Sequence, residues 1–114
     1  MDPVRLLLLF DFYGELLTER QRMCFDLRYN QDLSFGEIAE ELGISRQGVY
    51  DNITRAETRM IKMEEKTGCV RRSLQCRRAV RIIDDCASAL VDHADPAVQE
   101  AMREILDAAH SIEE

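Results

Sequence analysis

Apolar residues along this 114-residue chain recur at steps of three and four almost from end to end, and Val, Ile and Thr nowhere alternate with polar residues over a strand's length. The pattern predicts an all-α fold, a helical bundle of about six helices. The first follows Pro3, whose missing N–H costs nothing in a first turn, and ends at Gly14. Thr18 opens the second through Thr18-x-x-Gln21, with Met23, Cys24 and Leu27 facing inward and Phe25 as a further candidate; it stops near Tyr29-Asn30. Ser34 and Glu37 repeat the capping logic for a short third helix, whose inner face is Phe35, Ile38, Ala39 and Leu42. Ser45 caps the fourth, where Val49, Ile53, Ala56, Met60 and Met63 step by four, three, four and three. That helix reaches about Lys66 before Gly68, roughly 30 Å at 1.5 Å per residue. A fifth carries Cys76, Val80, Ile83, Ala87 and Leu90 on one stripe. Asp95-Pro96 opens the sixth, with Val98, Ala101, Met102, Ile105, Ala109 and Ile112 inward. Without a repeat or a linker, the reading is a single domain over 1–114, with a central module at about 16–67 and a helical pair at about 70–112.

One stretch combines several of these features in register. In Phe35 to Arg55, FGEIAEELGISRQGVYDNITR, Ala39 is small where the next helix approaches and Gly43 permits the positive φ of a tight turn. Ile44 plugs the gap between the helices, and Ser45 caps a second helix that buries Val49 and Ile53. This is the pattern of a helix-turn-helix with a long recognition helix. On a helical wheel its outward positions are Gln47, Asp51, Thr54 and Thr58, flanked by Arg46, Tyr50 and Arg55.

The net charge of −7 argues against a generic nucleic-acid coat, but charge is unevenly spread. Residues 1–45 hold nine acids and four bases, 46–81 four acids and ten bases, and 82–114 nine acids and one base. Because salt screens beyond about 8–10 Å, the local sign around the recognition helix matters more than the total. The candidate nucleic-acid-binding residues are therefore Arg46, Gln47, Tyr50, Asp51, Thr54 and Arg55. Gln47 suits bidentate reading of adenine, Arg46 and Arg55 suit phosphates, and Tyr50 a phosphate or base face. Asp51 faces a polyanion and has one favourable use, accepting from a cytosine amino group. A secondary basic patch is Arg71, Arg72, Arg77, Arg78 and Arg81.

LLTERQR (Leu16 to Arg22) followed by FDLRYNQDLSFGEIAEELGIS (Phe25 to Ser45) resembles the promoter-reading region 4 of bacterial sigma factors. With LLFDFYGELLTERQR before it and SRQGVYDNITRAE after, the stretch from Leu8 to Glu65 is more closely similar to the YlxM family of small helix-turn-helix proteins. The resemblance does not cover the last third beyond helical character and length. It implies an all-helical cytoplasmic regulatory protein of the signal recognition particle pathway. Its implied partners are DNA by fold or the particle's RNA by association, or alternatively a protein of the targeting machinery engaged without DNA binding. For that adaptor alternative, Leu6, Leu9, Phe10, Phe12 and Tyr13 are candidate anchors. A homodimer is expected because helix-turn-helix proteins commonly pair half-sites.

Other classes find less in the sequence. The longest apolar run, Leu6 to Phe10, is too short for a membrane span or a secretory signal. No phosphate-binding glycine loop or paired-histidine metal motif occurs, so no catalysis, cofactor or metal is expected. Cys69 to Cys76 and Cys86 to His93 are each seven residues apart, about 10 Å along a helix, and cannot share one zinc. The four cysteines read as small hydrophobes rather than disulfides.

Overall fold

The computed structural model describes residues 2–112, and among them it contains α-helices and one 3₁₀ turn but no strand. The helices are α1 (Pro3–Tyr13), α2 (Glu19–Tyr29), α3 (Phe35–Leu42), α4 (Arg46–Thr67), α5 (Cys69–Ser88) and α6 (Pro96–Ile112), with the 3₁₀ turn at Gly14–Leu16. The chain divides into two compact units, one up to Val70 and one from Arg71.

The capping residues act as their chemistry requires. Thr18 and Gln21 form a reciprocal box, as do Ser34 and Glu37, and each pair satisfies two backbone N–H groups that a helix start leaves orphaned. The hydrogen bonds from Ser34 hold the Glu37 carboxyl below its usual range. Asp2 adds a cap to α1 by accepting from the Val4 N–H at 3.1 Å. Asp95 does the same for α6 by accepting from Ala97 at 2.9 Å.

In the first unit, Val49, Ile53, Ala56 and Met60 form one buried face of α4, and α1, α2 and α3 all pack on that helix. Two clusters share it. Leu6, Leu9, Tyr13 and Phe25 gather with Ala56 and Met60, while Cys24, Leu27, Ile38 and Ala39 gather with Val49 and Ile53. α2 thus contributes to both: the Phe25 ring lies between Phe10 and Tyr29, at centroid distances of 4.6 and 4.5 Å. Burial pushes the Cys24 thiol up, and the four cysteines are free thiols. Met23, expected inside, is exposed because both clusters are filled from the neighbouring positions Cys24, Phe25 and Leu27.

The far end of α4 is closed by a polar network. Glu64 is buried and accepts from the Tyr13 hydroxyl at 2.7 Å and from the Val70 N–H at 3.0 Å. Thr67 hydrogen-bonds the same Tyr13 hydroxyl and accepts from the Cys69 N–H. With Gly68 in the left-handed region at φ 62°, α5 starts at once, and its first N–H groups are capped by residues of the preceding helix. Burial, more than the neighbouring carboxylate, pushes the Tyr13 phenol up.

In the second unit, α5 and α6 are joined by a turn over residues 89–95, and His110 near the end of α6 hydrogen-bonds Asp84 on α5. Val80, Ala87 and Ala109 are buried, and Val98, Met102 and Leu106 are half-buried. The expected single stripes are corrected here. Cys76 and Ile83 are exposed on α5, Leu90 is exposed in the turn beyond it, and Ala101, Ile105 and Ile112 are exposed on α6. The apolar sector of each helix is wider than a single partner helix can cover.

Two outcomes follow from these contacts. Tyr13→Phe leaves the buried Glu64 carboxylate short of a donor and should lower unfolding free energy by about 1–3 kcal/mol in urea denaturation. Tyr29 donates to Glu57 at 2.6 Å, and burial with that bond pushes its pKa from 10.0 to about 12. Its folded pKa is raised, so its contribution is fully present below pH 10 and lost as pH rises through about 12. Stability measured across that window should fall less steeply in Tyr29→Phe than in the native chain.

Candidate nucleic-acid interface

The corner between α3 and α4 is set by Gly43, at φ 68° and ψ 36°, a conformation that a side chain disfavours. The Ile44 N–H returns to the Ala39 carbonyl at 3.1 Å, and the Ile44 side chain packs against the Cys24–Ile53 cluster as the plug between the helices. Ser45 then accepts from the Gly48 N–H at 2.9 Å and starts α4.

With Val49 and Ile53 fixed inward, the helical period turns the opposite positions out. Arg46, Gln47, Tyr50, Thr54 and Arg55 are exposed, and Asp51 is half-buried. Asp51 accepts from the Gln47 side-chain amide at 3.0 Å, so this acid is already engaged by its neighbour one turn back. That hydrogen bond is exposed and of modest strength, about 0.5–1.5 kcal/mol net.

The face extends beyond the residues that the sequence pointed to. Arg46 lies across the start of α3, where a Cβ on Gly36 would meet its guanidinium at 3.1 Å; Gly36 leaves that room. The Tyr50 ring meets Phe35 edge-on at 6.1 Å, and the Arg28 guanidinium sits 4.8 Å over the Phe35 ring. Arg28 is pinned there by donating to the Leu33 carbonyl at 3.0 Å. A ledge of arginine and aromatic groups from α2, α3 and α4 thus adjoins the start of α4. On its other flank a shallow groove is lined by Thr54, Arg55, Thr58, Arg59 and Lys62, with Gln21 from α2. Arg59 and Lys62 repeat Arg55 and Thr58 one turn later, a spacing visible in the sequence; Arg28 and Gly36 carry no such signal.

Two acids of the basic segment are turned to structural work. Glu57 accepts from Tyr29, and Glu64 is buried with Tyr13. Glu64 is thereby withdrawn from the exposed face of α4, while Glu57 stays half-buried beside it. In the second unit Arg71, Arg72, Arg77, Arg78 and Arg81 are all exposed. Of the five apolar residues of α1 considered as partner anchors, Leu6, Leu9 and Tyr13 are buried and Phe10 half-buried, leaving Phe12 exposed. Among the described residues no His, Cys, Asp or Glu group is arranged to hold a metal, and no helix is long and apolar enough to cross a membrane.

Known proteins resemble this chain over most of its length. The family described as "Putative helix-turn-helix protein, YlxM / p13 like" matches residues 2–96. A UPF0122 protein of Acetivibrio thermocellus is 52% identical over 95 residues, covering 82% of this chain and 80% of that protein. One from Clostridium kluyveri is 40% identical over 106 residues, 93% of this chain and 89% of the relative. One from Bacillus cereus is 39% identical over 105 residues, 92% and 91% respectively.

The corner itself can be tested in isolation. A Cβ at Gly43 would meet nothing within 4 Å, so Gly43→Ala adds backbone strain without a clash. It should cost about 1–2 kcal/mol in chemical denaturation while leaving far-UV helicity unchanged.

Proposed function

The chain belongs to the YlxM / p13-like family of helix-turn-helix proteins, and from that premise we propose that it is a non-catalytic, nucleic-acid-binding regulator that reads its target with the exposed face of α4. The observation that carries this reading is the division of α4, with Val49 and Ile53 sealed in the core while Arg46, Gln47, Tyr50, Thr54 and Arg55 face solvent. In this reading the start of α4 enters a groove, Gln47 contacts a base edge once released from Asp51, and Arg46 and Arg55 contact phosphates on either side. Arg28, Arg59 and Lys62 widen the cationic surface, and Tyr50 offers a ring to a sugar or an unpaired base. The arginines Arg71, Arg72, Arg77, Arg78 and Arg81 are a secondary basic patch.

The wider role is regulation in the signal recognition particle pathway, in the cytoplasm, with duplex DNA or the particle's RNA as ligand. That part of the proposal rests on the family resemblance of Leu8 to Glu65. The adaptor alternative, docking on a particle protein, has less behind it, because most of the α1 residues it would use are committed to the core.

Anisotropy titrations of labelled duplex DNA and labelled hairpin RNA test the proposal and separate the two ligands. Binding should weaken with salt, and Arg46→Ala and Arg55→Ala should each reduce the slope of log K against log salt by about 1. Gln47→Ala should keep the slope and relax preference at one position. Asp51→Asn, which retains an acceptor for Gln47 and removes a charge facing the ligand, should tighten binding a few-fold. Absence of binding to either polymer at low salt would reject the proposal.

A further inference from the structure

We propose, on the premise that α4 is the nucleic-acid-binding face, that its ligand carries an unpaired nucleotide beside a paired stem, with the Tyr50 ring as the stacking site for the unpaired base. Tyr50 is 51% exposed and belongs to neither core cluster, so burial does not account for a large ring at this position. It follows Arg46 by four residues and Gln47 by three, and Thr54 follows it by four. All three are therefore its neighbours on the helix surface.

The ring leans on a fixed support. Phe35, at the start of α3, meets it at a centroid distance of 6.1 Å with the planes inclined at 70°. Rings inclined that far are not stacked, so Phe35 steadies Tyr50 without covering both of its faces. Phe35 is itself half-buried and packs against the Cys24–Ile53 cluster. The Arg28 guanidinium sits 4.8 Å over the Phe35 ring and donates to the Leu33 carbonyl at 3.0 Å. A ring whose support is fastened both by the core and by a pinned arginine has little freedom to lose when a base settles on it, which favours binding. A cation is at hand for the backbone of that nucleotide. The Arg46 guanidinium lies against Gly36, the residue next to Phe35, in the room left by the missing Cβ. Aromatic rings for bases and guanidinium groups for phosphates are the combination by which proteins hold unstacked nucleotides.

What a duplex exposes decides the class of ligand. In a paired stem each base lies between its neighbours and offers only its edges to the grooves. Gln47 and Thr54 suit such edges. The face of the Tyr50 ring meets a base face only where a nucleotide has left the stack, at a bulge, an internal loop or the end of a stem. Gln47 and Tyr50 are three residues apart, about 4.5 Å along the helix axis, so the unpaired nucleotide adjoins the base pair that Gln47 contacts.

Anisotropy titrations of the full-length chain test this with a labelled, fully paired hairpin and the same hairpin carrying one unpaired nucleotide in its stem, each made in DNA and in RNA. The bulged hairpin should bind about tenfold tighter than the paired one, and the polymer in which it does so identifies the source of the ligand. Tyr50→Ala should remove that preference while the slope of log K against log salt stays the same, since no charge is lost. Because Tyr50 lies outside both core clusters, far-UV helicity should not change. Tyr50→Phe should keep the preference, because the ring and not the hydroxyl does the stacking. Iodouracil at the unpaired position should photocrosslink to Tyr50. Equal affinity for the two hairpins, a preference that survives Tyr50→Ala or disappears in Tyr50→Phe, or a crosslink mapped away from Tyr50 would overturn the proposal. If binding still weakens in Arg46→Ala and Arg55→Ala, the reading of α4 then stands without it. Absence of binding to every probe overturns both.

Discussion

The first unit depends on the burial of one face of α4. Val49, Ile53, Ala56 and Met60 are each 5% exposed or less, and α1, α2 and α3 pack on the helix that carries them. Burial of each of the larger side chains contributes about 1.5–3 kcal/mol, enough in sum to fix the rotation of the helix about its own axis. Once that rotation is fixed, the opposite face has no freedom. Gln47, Tyr50 and Thr54 point outward because Val49 and Ile53 cannot, and the presentation of the candidate interface is a by-product of core packing.

Polar groups at the ends of the helix refine what the apolar stripe establishes. At the start, Gly43 and Ser45 turn and cap the chain, and Arg46 finds space over Gly36. At the finish, Glu64 gathers the Tyr13 hydroxyl and the Val70 amide of α5. A buried carboxylate is costly unless it is hydrogen-bonded, and here it is satisfied by groups from two other elements. Glu57 ties α2 to α4 in a similar way, by accepting from Tyr29.

The second unit follows a different rule. Two helices cannot bury apolar sectors as wide as those of α5 and α6, and the surplus, Ile82, Ile83, Ile105 and Ile112, remains at the surface. A two-helix hairpin is a poor core by itself, and its apolar remainder favours packing against further helices.

Much of this was legible in the residues before any coordinates. Helix order, the two capping boxes, the Gly43 corner, the Ile44 plug and the inward stripe of α4 all follow from local chemistry, because caps, turn glycines and helical periods act within a few residues of one another. The outward identity of Arg46, Gln47, Tyr50, Thr54 and Arg55 follows from the same period. What needed the tertiary structure was every relation between residues distant in sequence: Tyr13 with Glu64, Arg28 over Phe35, Phe35 against Tyr50, and Arg46 in the space above Gly36. It also decided which apolar positions go unburied, turning Met23, Cys76 and Ile83 outward. Periodicity states which residues share a face, but only the number and placement of the neighbouring helices determine how much of that face is covered.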